Sequence, residues 1–250
     1  MKIFALKEGL FSVGNSKTFQ PFKTGVDKLS DRERGSFLLA VQPFLIVLDD
    51  EVILLDTGLG LSEGGVLQLV NNINKVGYQV EQVTKVLLSH LHRDHVGGIF
   101  VSAAVDATLT FPKATYYVQQ RELEYGLKQT HASYNLEVLQ KIAASSQFQF
   151  LTADSGKLHD QLTYKVTGGH TPYHQVFWIK DDAETFFYGA DVTPQLFFLK
   201  HKMIGKYDYD GKKTMQYRAD FLQEAVAEDW TFLLYHDAEF PLWNPNKVSL

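Results

Sequence analysis

The residues best suited to chemistry lie in one segment, Ser89-His90-Leu91-His92-Arg93-Asp94-His95-Val96-Gly97-Gly98. Three imidazoles and a carboxylate follow directly on the apolar run Val86-Leu87-Leu88. In an extended segment His90 and His92 point to the same side. Gly97-Gly98 then favours a turn, which lets Asp94 and His95 face the same cavity from another direction. One small cation does not need so many donors from one segment. The spacing suits two adjacent metal ions, each completed by residues from elsewhere in the chain.

Three distant residues are candidates to complete them. His170 sits in the Gly- and Pro-punctuated loop Thr167-Gly168-Gly169-His170-Thr171-Pro172. Asp191 follows the strand-like run Phe186-Phe187-Tyr188-Gly189-Ala190, and His236 follows Phe232-Leu233-Leu234-Tyr235. Loops at one edge of a rigid sheet are where a site can be assembled from several segments. His131, His159, His174 and His201 have no partner in the local sequence and read as surface or core residues. His174 stands four residues after His170, but Pro172 between them argues against a shared helical face.

These residues must be positioned by strands and helices. Short β-like runs cover Ile3–Leu6, Leu10–Val13, Phe37–Val41, Phe44–Leu48 and Val52–Leu55, with Asp49-Asp50-Glu51 as a hairpin turn between the last two. Further strands are expected at Val86–Leu88, Thr115–Val118, Phe148–Leu151, Leu162–Val166, Gln175–Ile179, Thr185–Tyr188 and Phe232–Leu234. The spacing of Val66, Leu69, Val70 and Ile73 predicts a helix from Ser62 to about Val76, with Ser62 as its cap and Gly77 as its end. Helices are also expected near Gln119–Lys128, Tyr134–Ala144 and Gln216–Ala227. The stretch holding Lys200, His201, Lys202, Lys206, Lys212 and Lys213 reads as a solvated loop. Many strands with interspersed helices suggest stacked sheets covered by helices, in mixed α/β order. Without a repeat, a low-complexity tract or a Pro/Ser-rich linker, one domain over 1–250 is the simplest organisation.

Composition narrows the function classes. The chain carries 24 basic and 29 acidic side chains, a net charge of −5, which argues against broad nucleic-acid binding. At 45 % apolar and 21 % charged residues it is too apolar for a disordered chain. There is no cysteine, so disulfide frameworks, thiolate zinc fingers, iron–sulfur clusters and cysteine nucleophiles are excluded. Any metal must be held by histidine and carboxylate. No apolar run has the length of a signal peptide or a membrane span, and a cytoplasmic location is the default expectation. The expected partner is a small-molecule substrate, with neither nucleic acid nor membrane. The oligomeric state is left open, with a homodimer as one option.

The elements Leu55-Asp56-Thr57-Gly58, the H-x-H-x-D-H segment, Gly169-His170-Thr171-Pro172, Asp191 and His236 together resemble the metallo-β-lactamase superfamily. They come in the family's order and extend over about three quarters of the chain. The resemblance implies an α/β fold, a four-layer αββα sandwich of two mixed β-sheets flanked by helices, with a two-metal cleft at one edge. It implies that His90, His92 and His170 hold one metal, that Asp94, His95 and His236 hold the other, and that Asp191 bridges both. Asp56 would brace the metal loop by accepting from a ligating histidine; turn capping is its other reading.

Neutral imidazole and carboxylate suit zinc, and also iron or manganese. Two such cations can share a water and lower its pKa toward roughly 7. The resulting bridging hydroxide attacks a carbonyl or a phosphorus, and Asp94 could accept a proton from that water. Tyr173, Tyr188, Phe197, Phe198 and Trp243 adjoin the candidate ligands or the C-terminal segment. Each reads first as core, and second as an apolar wall that would fit an acyl chain better than a polyphosphate.

Within the family the pattern looks like the lactonase and glyoxalase II branches. Two positions depart from it. The acyl-homoserine-lactone lactonases carry a tyrosine three positions after the bridging Asp, where this chain has Pro194, and the usual Gly after Thr-Pro is Tyr173. The expected function is a metal-dependent hydrolase of a small ester, lactone or thioester. The alternatives are a phosphodiesterase or nuclease, which calls for a basic channel; a mononuclear-iron oxidoreductase, separable by metal stoichiometry; and a non-catalytic metal-binding protein.

Overall fold

The computed structural model describes residues 1–102, 104 and 107–247. The chain begins with β1 (Lys2–Ala5), β2 (Gly9–Val13), β3 (Phe19–Pro21), β4 (Phe37–Val41), β5 (Phe44–Val47) and β6 (Val52–Leu55). A small hairpin, β7 (Ser62–Glu63) and β8 (Val66–Leu67), leads into α1 (Gln68–Lys75) and β9 (Lys85–Leu87). The one-turn α2 (Arg93–Val96) precedes β10 (Thr115–Gln119), α3 (Gln120–Gly126), α4 (Leu136–Ala144) and β11 (Phe148–Leu151). Then come β12 (Ser155–His159), β13 (Leu162–Val166), β14 (Gln175–Lys180) and β15 (Thr185–Tyr188). The chain closes with α5 (Leu196–Lys200), α6 (Gly211–Glu228), β16 (Trp230–Leu233) and β17 (Leu242–Trp243).

Two six-stranded sheets form, in the orders β1-β5-β6-β9-β10-β11 and β12-β13-β14-β15-β16-β17. Both are mixed: β6, β9, β10 and β11 run parallel to one another, as do β15 and β16, and the remaining pairs in the two sheets are antiparallel.

Side-chain alternation decides how the sheets stack. In β6, Ile53 and Leu55 face one core and Leu54 the other. In β15, Phe186 and Tyr188 face the core shared with the first sheet, while Phe187 faces the opposite side. A strand with apolar residues at both parities is buried on both faces. Three cores result. The middle one lies between the sheets; a second joins the first sheet to Leu69 and Ile73 of α1, Leu123 of α3 and Leu139 of α4; a third joins the second sheet to Leu199 of α5 and to Phe221 and Ala225 of α6. This is the four-layer αββα sandwich. Among the described residues, no helix is long and apolar enough to cross a membrane.

Two expectations are corrected here. The helix expected from Ser62 begins only at Gln68, because Gly64 and Gly65 take φ of +59° and +82° and fold the preceding residues into a hairpin. The stretch read as a loop through Lys213 is helical from Gly211 onward. Asp210 caps that helix, its side chain accepting from Lys213 N at 3.0 Å. An additional three-stranded sheet, β3-β2-β4, stands beside the sandwich.

Parallel strands end at a common edge. Leu55 pairs with Leu87, and Tyr188 with Leu233. The segments that follow these strands therefore emerge together, carrying Asp56, His90, Asp191 and His236. Ligand sites in α/β folds gather at such carboxyl ends.

Candidate metal centre

After β9 the chain bends at Ser89, reaches His92 with φ and ψ of −67° and 149°, and then enters α2. His95 N donates to His92 O at 2.9 Å, which sets the turn. The turn packs directly on the loop after β6: Thr57 N donates to His95 O at 2.7 Å and Gly97 N to Gly58 O at 2.8 Å. Gly97 is required by this approach, since a Cβ there would lie 2.2 Å from Leu59 O. Asp56, at the foot of the loop, takes a left-handed φ of +55°.

All seven residues nominated from the sequence converge. Inward-facing donor atoms of His90, His92, His170 and Asp191 lie within 4.8 Å of one another, and so do those of Asp94, His95 and His236. His170 Nε2 is 3.1 Å from His92 Nδ1. Asp191 joins the two groups. Its Oδ2 lies 3.1 Å from His170 Nε2 and 3.9 Å from His90 Nε2, while its Oδ1 lies 3.2 Å from His95 Nε2 and 3.1 Å from His236 Nε2. Asp94 Oδ2 stands 3.7 Å from His95 Nε2 and 3.6 Å from His236 Nε2.

The outward nitrogens are held from behind. His90 Nδ1 meets Ser89 Oγ at 3.0 Å, His95 Nδ1 meets Asp56 Oδ2 at 2.8 Å, and His170 Nδ1 meets Asp208 Oδ1 at 3.0 Å. His236 Nδ1 meets Ala40 O at 2.7 Å. Asp56 is fully buried and also accepts from Ser89 N, Ser89 Oγ and Tyr188 Oη. Outer partners of this kind fix the orientation of a metal-ligating imidazole.

The inner atoms are the unusual ones. His90 Nε2, His95 Nε2 and Asp191 Oδ1 are buried with no hydrogen-bond partner. Buried polar atoms are normally satisfied, and these orphans point at one another across the gaps that two cations would fill. Charge gives the same reading. Burial would raise Asp191, yet His236, His95 and His170 hold it well below the usual carboxylate range. Burial, followed by the neighbouring imidazoles, pushes His90 and His92 well below ordinary histidine. Burial opposes protonation of His95 too, but Asp191, Asp94 and Asp56 raise it well above. An ionised carboxylate among inward-facing imidazoles is a donor set for divalent cations.

Several supporting residues carry no local sequence signal. Asp208 lies within the basic stretch and pairs with the buried Arg218. Tyr235 donates to Asp94 O at 2.7 Å and stacks on His95. Glu122, fully buried, accepts from Tyr134 Oη and Thr171 Oγ1, tying α3 to the His170 loop. His174 is a core residue, as expected, but packs 5.0 Å from the His90 ring. Of the aromatics considered for a pocket wall, only Phe198 lines the cleft. Tyr188 and Trp243 are core, Phe197 is half exposed, and Tyr173 lies against Arg121.

The cleft, about 140 Å³, opens beside His92, Asp94, Asp191 and His236. The rest of its apolar side comes from Val13, Phe19, Phe37, Leu39 and Pro194.

The metallo-beta-lactamase superfamily profile matches residues 38–236. N-acyl homoserine lactonase AttM of Azorhizobium caulinodans is 31 % identical over 117 residues, covering 44 % of this chain and 41 % of that protein. An N-acyl homoserine lactonase of a Bacillus species is 28 % identical over 165 residues, covering 58 % and 60 %. The matched part thus spans between two and three fifths of these curated relatives' length. Among solved structures, hydrolase AbOPH of the beta lactamase superfamily has a TM-score of 0.75 at 26 % identity, over 97 % of this chain and 89 % of that chain. AidC, a dizinc quorum-quenching lactonase, has a TM-score of 0.75 at 20 % identity, over 96 % and 88 %. With its sandwich, its histidine and aspartate cluster and this match over most of its length, the chain belongs to the metallo-beta-lactamase superfamily.

Proposed function

We propose that this chain is a metal-dependent hydrolase of a small ester, lactone or thioester, with two divalent cations, zinc foremost, at the cluster. The observation that carries the reading is Asp191, whose two oxygens face two separate groups of donors. The lactonase relatives and AbOPH, with the dizinc fold neighbour, support the same reaction class and metal.

In this reading His90, His92 and His170 hold one cation, Asp94, His95 and His236 hold the other, and Asp191 is shared. Bound cations of this kind supply an ionised water and Lewis-acid polarisation of a substrate oxygen. The protein's own part is placement. Asp56, Ser89, Asp208 and the Ala40 carbonyl orient the imidazoles, and Asp94 faces the cleft as an acceptor for a proton released there. Pro194 lines the cleft without a hydroxyl group, so any donor to the substrate carbonyl comes from another side chain. Because both sheets supply donors, the reading treats residues 1–250 as one working domain.

Elemental analysis joined to an activity panel tests it. Purified protein should carry about two metal atoms per chain and turn over lactones, nitrophenyl esters or thioesters. His92→Ala and Asp191→Asn should lose metal and activity while keeping their circular dichroism. Undiminished metal in both variants, or turnover confined to nitrophenyl phosphodiesters, would overturn the reading.

A further inference from the structure

We propose that the cleft takes an amphipathic anion: an ester or lactone whose apolar acyl body lies on the Phe37 and Phe198 wall and whose carboxylate or phosphate head is held by Lys17 with Lys206. This rests on the hydrolase reading above and names the substrate class for that site.

The wall and the cations are continuous. Phe37 contacts Phe198 at 6.4 Å between ring centroids and Tyr207 at 6.1 Å. The Tyr207 ring in turn carries two ammonium groups, Lys17 Nζ at 5.2 Å and Lys206 Nζ at 5.6 Å from its centroid. All five residues line the cleft that holds His92, Asp191 and His236. A ligand with its scissile carbonyl at the histidine cluster would pass along Phe198 and Phe37 and end at these ammonium groups.

The cations are not neutralised by the protein. Lys17 Nζ donates to Ser133 Oγ at 2.6 Å and Lys206 Nζ to Asn15 Oδ1, both neutral acceptors. Arg93, also on the cleft, lies over the Phe19 ring. Among the described residues none of the three is within ion-pair distance of a carboxylate. The acids of the cleft are engaged elsewhere: Asp94 and Asp191 face the histidines, and Asp208 pairs with His170 and Arg218. Glu33, near Tyr207, accepts from Asn15 N. Two lysine ammonium groups beside one aromatic ring at the cleft, with no carboxylate in ion-pair distance among the described residues, favour an anionic guest.

Lys17 closes the turn between β2 and β3 with a left-handed φ of +55°, its N donating to Gly14 O at 3.1 Å. Burial also pulls the Lys17 ammonium below its ordinary pKa, a cost that a bound anion would relieve.

The test uses zinc-loaded protein with two matched substrates, p-nitrophenyl hexanoate and mono-p-nitrophenyl adipate, and adipate or 6-phosphohexanoate as binding probes in calorimetry. Wild type should favour the adipate ester about fivefold in kcat/KM, through KM, the upper size expected of one partly screened charge contact. Lys17→Met, which keeps the apolar stem, should collapse that ratio and weaken adipate binding by a similar factor. The phosphate probe binding tighter than adipate would assign the head as phosphate, and the reverse as carboxylate. Equal kcat/KM for the two esters, or adipate affinity unchanged in Lys17→Met, overturns the inference and leaves the hydrolase reading standing. Loss of all ester turnover with Lys17-dependent adipate binding retained would instead overturn the hydrolase reading.

Discussion

Asp208 stands directly behind His170, with Oδ1 3.0 Å from Nδ1. Its other oxygen accepts from Gly205 N at 3.0 Å and from Arg218 Nη2 at 3.4 Å. The ring is thereby turned so that Nε2 faces His92 and Asp191. A loop that reads as mere solvated surface supplies the residue that aims a histidine.

Asp208→Asn should lower metal affinity by roughly tenfold to a hundredfold, the usual effect of losing an outer carboxylate. The amide is preferred to alanine because the buried Arg218 would otherwise face a void. Competition with a chromophoric chelator measures the change. An affinity equal to wild type would mean that the loop alone sets the ring.

Asp56→Asn should cost roughly 2–4 kcal/mol of stability, since an amide replaces a buried anion that accepts from four donors. Asparagine tolerates the left-handed φ at this position, so backbone strain does not confuse the result. Urea unfolding, read through midpoint and slope, is the measurement. A change under about 0.5 kcal/mol would contradict a bracing role.

Glu8 predicts a pH dependence. Burial, partly offset by the N–H groups of Leu59, Gly60 and Leu61, raises its carboxyl from 4.5 to about 7. A raised acid binds its proton more tightly in the folded state. Its stabilising contribution is therefore complete below about 4.5 and is lost as the pH climbs through about 7. Glu8→Gln removes this loss, so the variant should gain about 3 kcal/mol on wild type between pH 4.5 and pH 8. Denaturant titrations across that range decide it, and a difference that does not vary with pH would show the carboxyl to be ionised throughout.

Gly97→Ala should destabilise by roughly 1–3 kcal/mol or more and reduce bound metal, because its methyl group meets the Leu59 backbone and displaces α2 with Asp94 and His95. Gly65→Ala is the control. It has open space around the new methyl, and only its φ of +82° resists the change, so bound metal should stay at the wild-type level. Equal metal content in Gly97→Ala and wild type would show that the turn tolerates the shift.

Legibility in the sequence followed range. His90, His92, Asp94 and His95 are readable because one short segment carries them, and His170, Asp191 and His236 because each follows a strand. Asp208 and Glu8 act over 38 and 51 residues on His170 and Leu59, and no periodicity encodes such a pairing. The helix start is not legible because the apolar spacing of Val66, Leu69 and Ile73 continues through a hairpin that only Gly64-Gly65 betrays. Of the aromatics beside the ligands in sequence, Phe198 alone reaches the apolar wall, and the rest of that wall comes from Val13, Phe19, Phe37 and Leu39, on or beside a small sheet whose strands say nothing, taken singly, about where they dock.

The donor set is divided between the two sheets. His90, His92, Asp94 and His95 precede β11, whereas His170, Asp191 and His236 follow β12, and only residues 152–154 join those strands. A cation at the cluster would therefore rivet two halves that neither share a strand nor hold a full complement alone. Severing the polypeptide at that joint would yield fragments whose capture of zinc reports their reunion.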